Sequence, residues 1–341
     1  MDKNAARWII WVITLVLILA GVSIIALLVG TMRIPLPVAV NCLFTGERLT
    51  SCGSVLFNIR LPRVILGFAV GGALSLAGVI LQGMFRNPLV EPYTLGISGG
   101  AALGVCLNIA FGINRHIGVI SMPISGFLGS MLIILIVYFL SARKGILKMN
   151  GLLLSGVMIS FVCSSLFMLI MAVMRIEDLH GIIFWTMGAL EQPNWILIRI
   201  MLIISLSGLI YSYFYCKELN AFSLGTEQAA HLVVDVEKTK RNLFILTSVL
   251  TGCSVSVAGI IGFVGLVIPH FIRLFAGSDH RFVLILSYLA GGIFLIASDT
   301  LARVIISPLE LPVGVITGIA GGTIFIYALT KKEGGSVNAG S

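Results

Sequence analysis

The stretch that decides the fold is residues 242–272, NLFILTSVLTGCSVSVAGIIGFVGLVIPHFI, which runs for 31 residues without Asp, Glu, Lys or Arg. A bilayer core of roughly 30 Å needs about 20 apolar residues per helix, so this stretch is too long for one straight span. It also carries Gly259, Gly262, Gly265 and Pro269, which are residue types that interrupt helices. The stretch therefore predicts two shorter helices with a break between them.

The rest of the chain has the composition of a membrane protein. Of its 341 residues, 58% are hydrophobic and only 11% are charged, whereas about a quarter of the residues in a soluble domain are charged. Eight further charge-free windows are long enough for one helix each, at residues 8–32, 64–85, 92–114, 116–142, 149–174, 200–216, 282–298 and 311–330. Together the windows predict an all-α, polytopic membrane protein of about ten transmembrane helices, in a single domain over residues 1–341.

The distribution of charge predicts the orientation of these helices. Ten spans place both termini on one side of the membrane. With that side cytoplasmic, fourteen of the 22 Lys and Arg residues lie inside and eight lie outside, which is the bias of the positive-inside rule. We therefore expect a multi-pass protein of the cytoplasmic (inner) membrane with both termini inside. The net charge of +8 then belongs to loops beside anionic lipid, and no nucleic-acid partner is expected.

The sequence lacks an energy source of its own. No segment matches the phosphate-binding pattern GxxxxGK[ST], so the chain is not expected to be an enzyme that hydrolyses nucleotide. Ion-driven carriers usually bind their ion with acidic or His side chains inside the spans. Here Asp299 and Glu310 fall at span ends, and His270 beside Pro269 is expected to be a hydrogen-bonding residue at a helix end. An ion-coupled secondary transporter remains the alternative.

The residue types give no sign of a catalytic, metal or cofactor site. The five histidines are dispersed without metal-ligand spacing, so we predict no catalytic residues, no metal and no cofactor in this chain. Cys42 and Cys52 share a predicted external loop. Either a disulfide between them or two unpaired packing residues is compatible with the sequence.

A shift of the chain by 181 positions superposes several small residues and prolines. The matched pairs are Gly71 with Gly252, Gly78 with Gly259, Pro88 with Pro269, and Gly96 with Gly277. Many transporters are built from two inverted halves, so this pattern indicates a possible inverted repeat. Chance also produces such matches in a chain with 38 glycines.

The stretch RNPLVEPYTLGISGG, residues 86–100, lies between the second and third predicted spans. Pro88 and Pro92 disfavour helix at the residues before them, so a tight and rigid turn is predicted. Gly96 allows the next helix to pack closely or to be interrupted. We expect a structural role for the residues of this turn and for the proline and histidine of the broken segment: Arg86, Asn87, Pro88, Pro92, Gly96, Pro269 and His270.

Seven motifs in this order carry a resemblance to a known family. They are RLPR (60–63), the AG…Q…RNPL…EP…LG run (77–96), WTMGAL (185–190), LGTEQAA (224–230), GFVGLVIPHFIR (262–273), SDTLAR (298–303) and ELPVG (310–314). With them the chain resembles the FecCD/BtuC family, the membrane permease subunits of type II ABC importers for iron–siderophore complexes, haem and vitamin B12.

The resemblance implies a homodimer of ten-helix, BtuC-like subunits around one central pathway that works by alternating access. It implies two cytoplasmic ATPase subunits, which would bind the ATP and Mg, and an extracytoplasmic substrate-binding protein. A ferric siderophore is the first expected cargo, and vitamin B12 or haem is the alternative.

The resemblance also implies where the ATPase binds. The family places its coupling helices in the segment that corresponds to residues 217–241, and the residues expected to carry the contact are Leu224, Gly225, Glu227, Gln228 and Ala229. A solvated loop is the alternative reading of this polar segment. Relatives usually have Gly where this chain has Val233 after Leu232, which puts the turn between coupling helices in doubt.

Two further sets of residues are implied by the resemblance. Arg60, Arg63 and Arg303 fall at external span ends, where arginines of cobalamin relatives meet glutamates of the docking protein. The alternatives are snorkelling to the interface or an internal pair with Asp299, four positions before Arg303. Met149 and Asn150 lie where relatives close the pathway on the cytoplasmic side, although they also read as ordinary loop-end residues.

Overall fold

The computed structural model describes residues 3–30, 34–35, 37, 40–42, 50–118, 120–143, 146–191, 194–225, 228–229 and 235–337. The helices in this part of the chain are α1 (Lys3–Leu28), α2 (Ser51–Val55), α3 (Leu61–Phe85), α4 (Ile97–Ala110), α5 (Ile113–Ile117), α6 (Ser121–Ser141), α7 (Met149–Val173), α8 (Ile176–Thr186), α9 (Trp195–Tyr213), α10 (Cys216–Leu224), α11 (Val236–Ala258), α12 (Val264–Ala276), α13 (His280–Val304) and α14 (Val313–Val337).

Four short elements lie between these helices. One π-helical turn, Leu56–Arg60, joins α2 to α3, and a 3-10 turn, Pro92–Leu95, precedes α4. The strands β1 (Ala142–Arg143) and β2 (Ile146–Leu147) form a two-residue antiparallel ladder between α6 and α7.

The helix pattern confirms the predicted membrane class. Seven helical spans are long and apolar enough to cross a bilayer, and three shorter apolar helices accompany them. The seven are α1, α2–α3, α6, α7, α9, α11 and α13, and the three are α4, α12 and the Val313–Tyr327 part of α14. In the described part of the chain, these ten apolar helices match the predicted number.

The span formed by α2 and α3 is the centre of the bundle, with 83% of its most apolar window buried. Helix α13 packs along α3 through small residues. A Cβ at Gly71 would overlap the carbonyl oxygen of Gly291, a Cβ at Gly291 would overlap that of Gly71, and a Cβ at Gly72 would lie 2.6 Å from the Tyr288 ring. Close helix contacts of this kind hold bundles together in lipid. We call the end of the bundle where α3 begins the Arg63 end, and the end where α3 stops the Arg86 end.

The predicted division of residues 242–272 is confirmed. Helix α11 stops at Ala258 and α12 starts at Val264, so the break is Gly259–Phe263. Gly259 and Phe263 have positive φ angles of 69° each. Pro269 lies inside α12 and does not cause the break. The expectation that His270 ends a helix was wrong, because it lies in the middle of α12 with its ring against Phe325.

Several helices extend beyond the charge-free windows. Helix α9 begins five residues before its window and includes Arg199, with the Asn194 side chain capping its first turn. Helix α13 continues to Val304 because its two late charges, Asp299 and Arg303, pair with each other inside it. A window that stops at each charge therefore underestimates a span whose charges are neutralised within the protein.

The shift of 181 positions does not superpose equivalent backbone. Gly96 and Gly277 have similar φ angles of 84° and 86°, but their ψ angles are 1° and −171°. Gly78 is inside α3 whereas Gly259 is in the break. Gly71 and Gly252 both lie inside helices, α3 and α11. The inverted repeat at this shift stays a hypothesis.

A Gly78→Ala substitution tests the close helix packing. A Cβ at Gly78 would overlap the Gly265 backbone of α12, so we expect an overpacking cost of about 1–3 kcal/mol and a lower unfolding temperature in detergent. Gly21→Ala in α1 is the control, since a Cβ there meets nothing within 4 Å. Equal unfolding temperatures for both variants would contradict the packing argument.

Candidate functional site

The turn after α3 begins with Arg86 in the left-handed region at φ 52°, where it caps the helix. The Asn87 N–H donates to the Gln82 carbonyl at 3.2 Å, and Asn87 Oδ1 accepts from the Leu89 N–H at 2.9 Å. Gly96, at φ 84°, then allows α4 to start directly after the 3-10 turn. The predicted rigid turn is thus present, and it carries residues 91–95 back into the bundle.

Two side chains of this turn satisfy the backbone of the helix break. Glu91 accepts from the Phe263 N–H at 2.8 Å, directly before the first residue of α12. Tyr93 Oη donates to the Ile261 carbonyl at 3.0 Å and accepts from the Ile261 N–H at 3.1 Å. Non-helical backbone inside a membrane bundle needs such internal partners.

A third side chain, Gln82 of α3, satisfies the carbonyl that Pro269 leaves free. Proline has no N–H, so the carbonyl four residues earlier, that of Gly265, loses its helical partner. Gln82 Nε2 donates to that carbonyl at 3.1 Å. The Gln82 Oε1 in turn accepts from Arg273 Nη1, later in α12. A buried amide thus fixes the whole of α12 against α3.

The opposite side of the break is held by two other motif segments. The Ala189 N–H donates to the Ala258 carbonyl at 2.9 Å, and the Gly314 N–H donates to the Gly188 carbonyl at 3.5 Å. A Cβ at Gly259 would overlap the Trp185 carbonyl. The WTMGAL and ELPVG motifs and the EP…LG run therefore all lie around the helix break, which ends at the start of the GFVGLVIPHFIR motif. Together these four motifs supply and bond the backbone of the break.

The Arg63 end carries a cluster of two arginines and three carboxylates. Arg63 Nη2 binds the carboxylates of Glu191 and Glu310, the latter at 2.7 Å, and Arg63 Nη1 lies 4.0 Å from Asp299. Arg303 Nε lies 3.0 Å from the other Asp299 oxygen. These pairs join the starts of α3 and α9 to the end of α13 and the start of α14.

The two outer carboxylates of this cluster are held unequally. The Glu191 side chain is 62% exposed, whereas that of Glu310 is 31% exposed. Burial raises the pKa of Glu191 above its ordinary value. Burial also acts to raise the pKa of Glu310, but the hydrogen bond and charge of Arg63, together with Glu191 and Arg303, hold that pKa below its ordinary value. Glu310 is therefore the firmer partner of Arg63, and Glu191 is the more easily released one.

Arg60 and Arg303, the other two arginines predicted to dock a partner, donate hydrogen bonds to backbone carbonyls in the last turn of α1. Arg60 Nη1 donates to the Leu27 carbonyl at 2.7 Å, and Arg303 Nη2 donates to the Ala26 carbonyl at 3.2 Å. Last-turn carbonyls of a helix lack intrahelical partners. The internal Asp299–Arg303 pair considered as an alternative is present. Arg60, Arg63 and Arg303 are all buried, and their contact with a second protein stays a prediction.

The predicted ATPase contact lies at the Arg86 end. Leu224, the last residue of α10, is 59% exposed. Gly225 follows at φ 125°, where a Cβ would lie 3.6 Å from the Arg86 guanidinium. Gln228 is exposed and Ala229 is buried. Glu227 and Val233 lie outside the described residues, so the exposed part of the motif that the structure describes is Leu224 and Gln228.

The structure also gives the positions of the two predicted gate residues and of the two loop cysteines. Met149 and Asn150 are the first residues of α7; Met149 is half-buried and Asn150 is exposed. Their gating role stays a prediction. Cys42 and Cys52 are both free thiols, so the alternative without a disulfide is the one observed. Within the described ranges, no three His, Cys, Asp or Glu side chains are placed to hold a metal ion.

The sequence reasoning missed Gln82, Glu91 and Tyr93 as the side chains that organise the break. One signal was available for Glu91, because an acid between two prolines beside long apolar stretches needs a buried donor. Gln82 and Tyr93 gave no local signal, since their partners lie about 170 to 190 positions later in the chain.

Substitution of Glu91 tests whether its hydrogen bond to the Phe263 N–H stabilises the helix break. Glu91→Gln retains an oxygen that accepts the Phe263 N–H, so we expect an unfolding temperature near that of the wild type. Glu91→Ala leaves a buried N–H unsatisfied and should cost about 1–3 kcal/mol. Thermal unfolding in detergent measures both. Equal losses in the two variants would show that the charge at the start of α12, rather than the hydrogen bond, stabilises this site.

Comparison with known proteins identifies the family of this chain. Over 278 residues, covering 81% of this chain and 83% of the relative, the chain is 38% identical to the hemin transport system permease protein HmuU of Yersinia pestis. It is also 38% identical over 276 residues to the cobalamin import system permease protein BtuC of Halobacterium salinarum, covering 81% of this chain and 73% of that protein.

A solved structure agrees with these relatives. An ABC transporter of the metal-chelate type, in an inward-facing conformation, matches with a TM-score of 0.82 and 28% sequence identity over 95% of this chain and 99% of that one. The model of the FecCD transport family matches residues 15–331. The fold, the seven motifs and these matches agree, and the chain belongs to the FecCD transport family, the membrane permeases of ABC importers.

Proposed function

We propose that this permease carries a metal chelate across the cytoplasmic membrane by alternating access, with a ferric siderophore as the first candidate. The observation that carries the proposal is the agreement among its relatives: a hemin permease, a cobalamin permease and a metal-chelate transporter. All three cargoes are metal ions enclosed in a large organic ligand. The names of the two relatives favour haem and cobalamin as second candidates.

The proposed complex contains two copies of this chain, two ATPase subunits and an extracytoplasmic binding protein. ATP and Mg are bound by the ATPase subunits in this proposal. The Arg86 end would face the cytoplasm, together with both termini. Exposed Leu224 and Gln228, with Glu227 beyond the described residues, would enter a groove of the ATPase. Leu224 ends α10 and is 59% exposed, so its side chain is accessible to a second protein.

Reconstitution in proteoliposomes tests the proposed function. We expect uptake of one chelate class, among 55Fe-labelled siderophores, haem and cobalamin, that requires ATP and both partner proteins. The ATPase variant without hydrolytic activity is the control and should abolish uptake. Uptake that persists without the ATPase and follows a proton or sodium gradient would contradict the importer and establish the secondary transporter.

The proposed docking face is the Arg63 end. In this chain the Arg63 guanidinium is already occupied by Glu191 and Glu310. An acidic partner would therefore compete with Glu191, the exposed and more easily released carboxylate. On this proposal the arginines dock the binding protein by exchanging one of their own carboxylates for one of the partner's.

The exchange of carboxylates predicts that removal of one acidic side chain strengthens docking of the binding protein. Glu191→Ala should tighten binding-protein docking about two- to fivefold, corresponding to the roughly 0.5–1 kcal/mol of an exposed ion pair. Glu177→Ala is the matched control, because Glu177 is an exposed acid in the first turn of α8 at the same end. Affinity measured on the nanodisc-embedded complex decides the outcome. Weaker docking by Glu191→Ala, or equal effects in both variants, would contradict the exchange.

A further inference from the structure

One side chain of α10 binds the first turn of α13. Asn220 Oδ1 accepts from the His280 backbone N–H at 2.9 Å and lies 2.8 Å from His280 Nδ1. Asn220 Nδ2 donates to Asp279 Oδ1 at 2.8 Å. A carboxylate can only accept, so the amide nitrogen faces Asp279, the amide oxygen faces His280, and His280 Nδ1 carries the proton. We call Asn220, Asp279 and His280 the α10–α13 clasp.

The clasp also fixes α3. His280 is 3% exposed and its ring lies against the last turn of α3. A Cβ at Gly83 would be 2.9 Å from His280 Nε2, so glycine is what admits the ring there. Among the described residues His280 Nε2 has no hydrogen-bond partner, and an unpaired buried nitrogen costs stability. An apolar side chain would fill the same space without the cost of an unpaired nitrogen, so packing alone does not account for a histidine here.

Motion of α13 would be shared by α3. The backbones approach closely at Gly71 and Gly291, and Tyr288 of α13 packs on Gly72. Tyr288 Oη also hydrogen bonds Ser205 of α9 at 2.8 Å. Interfaces as close as these move as one body rather than slide. At the Arg63 end the same two helices are joined through Arg63 and Asp299.

Helix α10 also contacts the bundle through Leu219 and Phe222, which are fully buried. Apolar contact is non-directional, so these two side chains hold α10 near the bundle without fixing its register along α13. The three hydrogen bonds of Asn220 are directional and have no counterpart elsewhere in the described part of α10, whose next side-chain bond, from Ser223, stays within the helix. Four residues after Asn220, α10 ends at Leu224, where the proposed ATPase contact begins.

We propose that Asn220 is a positioning residue that transmits movement of the ATPase contact to the joined helices α3 and α13, and through them to the Arg63 end. The inference rests on the proposed function, because it needs an ATPase at the Arg86 end. The Asn220 side-chain amide binds the start of α13 through three hydrogen bonds. Its nitrogen donates to Asp279, and its oxygen accepts both from the His280 backbone N–H and from His280 Nδ1. Without these bonds, α10 would move while α13 stayed in place.

The test separates ATP hydrolysis from movement. A spin label introduced at Leu301, which is 53% exposed on α13, reports the distance between the two copies in the full complex with and without ATP. In the wild-type complex we expect an ATP-dependent change of that distance. In Asn220→Ala we expect the change to be lost and the substrate imported per ATP to fall about tenfold, while the rate of ATP hydrolysis is retained.

Three further variants keep the test decisive even where Asn220→Ala folds poorly. Asp279 Oδ1 also accepts from the Arg281 N–H at 3.0 Å. Asn220→Asp combined with Asp279→Asn reverses the donor and the acceptor of the clasp, with the new amide oxygen left to accept from the Arg281 N–H, so it should restore the distance change. Asn220→Asp alone opposes two carboxylates and should not. Asn242→Ala is the matched control, because Asn242 is half-buried at the same end and donates to Tyr215 Oη at 2.9 Å. It should leave the distance change intact.

The outcomes distinguish this inference from the proposed function. A wild-type complex with neither ATP hydrolysis nor a distance change would refute the proposed function. A wild-type distance change that persists in Asn220→Ala would overturn the inference alone. So would a parallel loss of hydrolysis, movement and thermal stability that the exchanged pair does not restore, since that pattern marks a residue needed only for folding.

Discussion

Everything in this fold depends on how five residues of non-helical backbone are satisfied inside a membrane bundle. Lipid offers no hydrogen bonds, so the break at Gly259–Phe263 exists only because protein groups replace the missing helical partners. Glu91 and Tyr93 bond its N–H and C=O groups from one side, and the backbone of the WTMGAL segment bonds Ala258 from the other. The turn at residues 86–100 is therefore an internal brace, which explains its charge and prolines in an apolar chain.

The break determines where the two ends of the bundle lie. Because α12 turns back after the break, α13 starts beside the last turn of α3 and then runs along it to the Arg63 end. The Gln82 amide, bonded to the Gly265 carbonyl, keeps that return path in register. Two polar assemblies follow from this geometry: the α10–α13 clasp at one end and the Arg63 cluster at the other. The proposed alternating-access mechanism needs the two ends to be mechanically joined, and α3 and α13 connect them.

The sequence predicted the fold well where length and composition decide it. A stretch of 31 uncharged residues exceeds one span, so the division into α11 and α12 followed from bilayer thickness alone. The position of the break did not follow, since Pro269 is the stronger helix breaker by type, yet Gln82 compensates it. The partners of Arg63 were also beyond reach, because Glu191 and Glu310 lie 128 and 247 positions away. Asn220 gave no signal, because its proposed role depends on a contact 60 residues later.

Hydrogen exchange at the break tests the central claim most directly. Amide exchange of the detergent- or nanodisc-embedded protein, followed by mass spectrometry on peptides that cover residues 259–264, reports whether the Ile261 and Phe263 N–H groups are bonded. The account predicts protection comparable to that of the neighbouring turns of α11 and α12. Exchange as fast as that of the exposed Ser278 amide would show that the Ile261 and Phe263 N–H groups are not hydrogen-bonded, and would contradict the account.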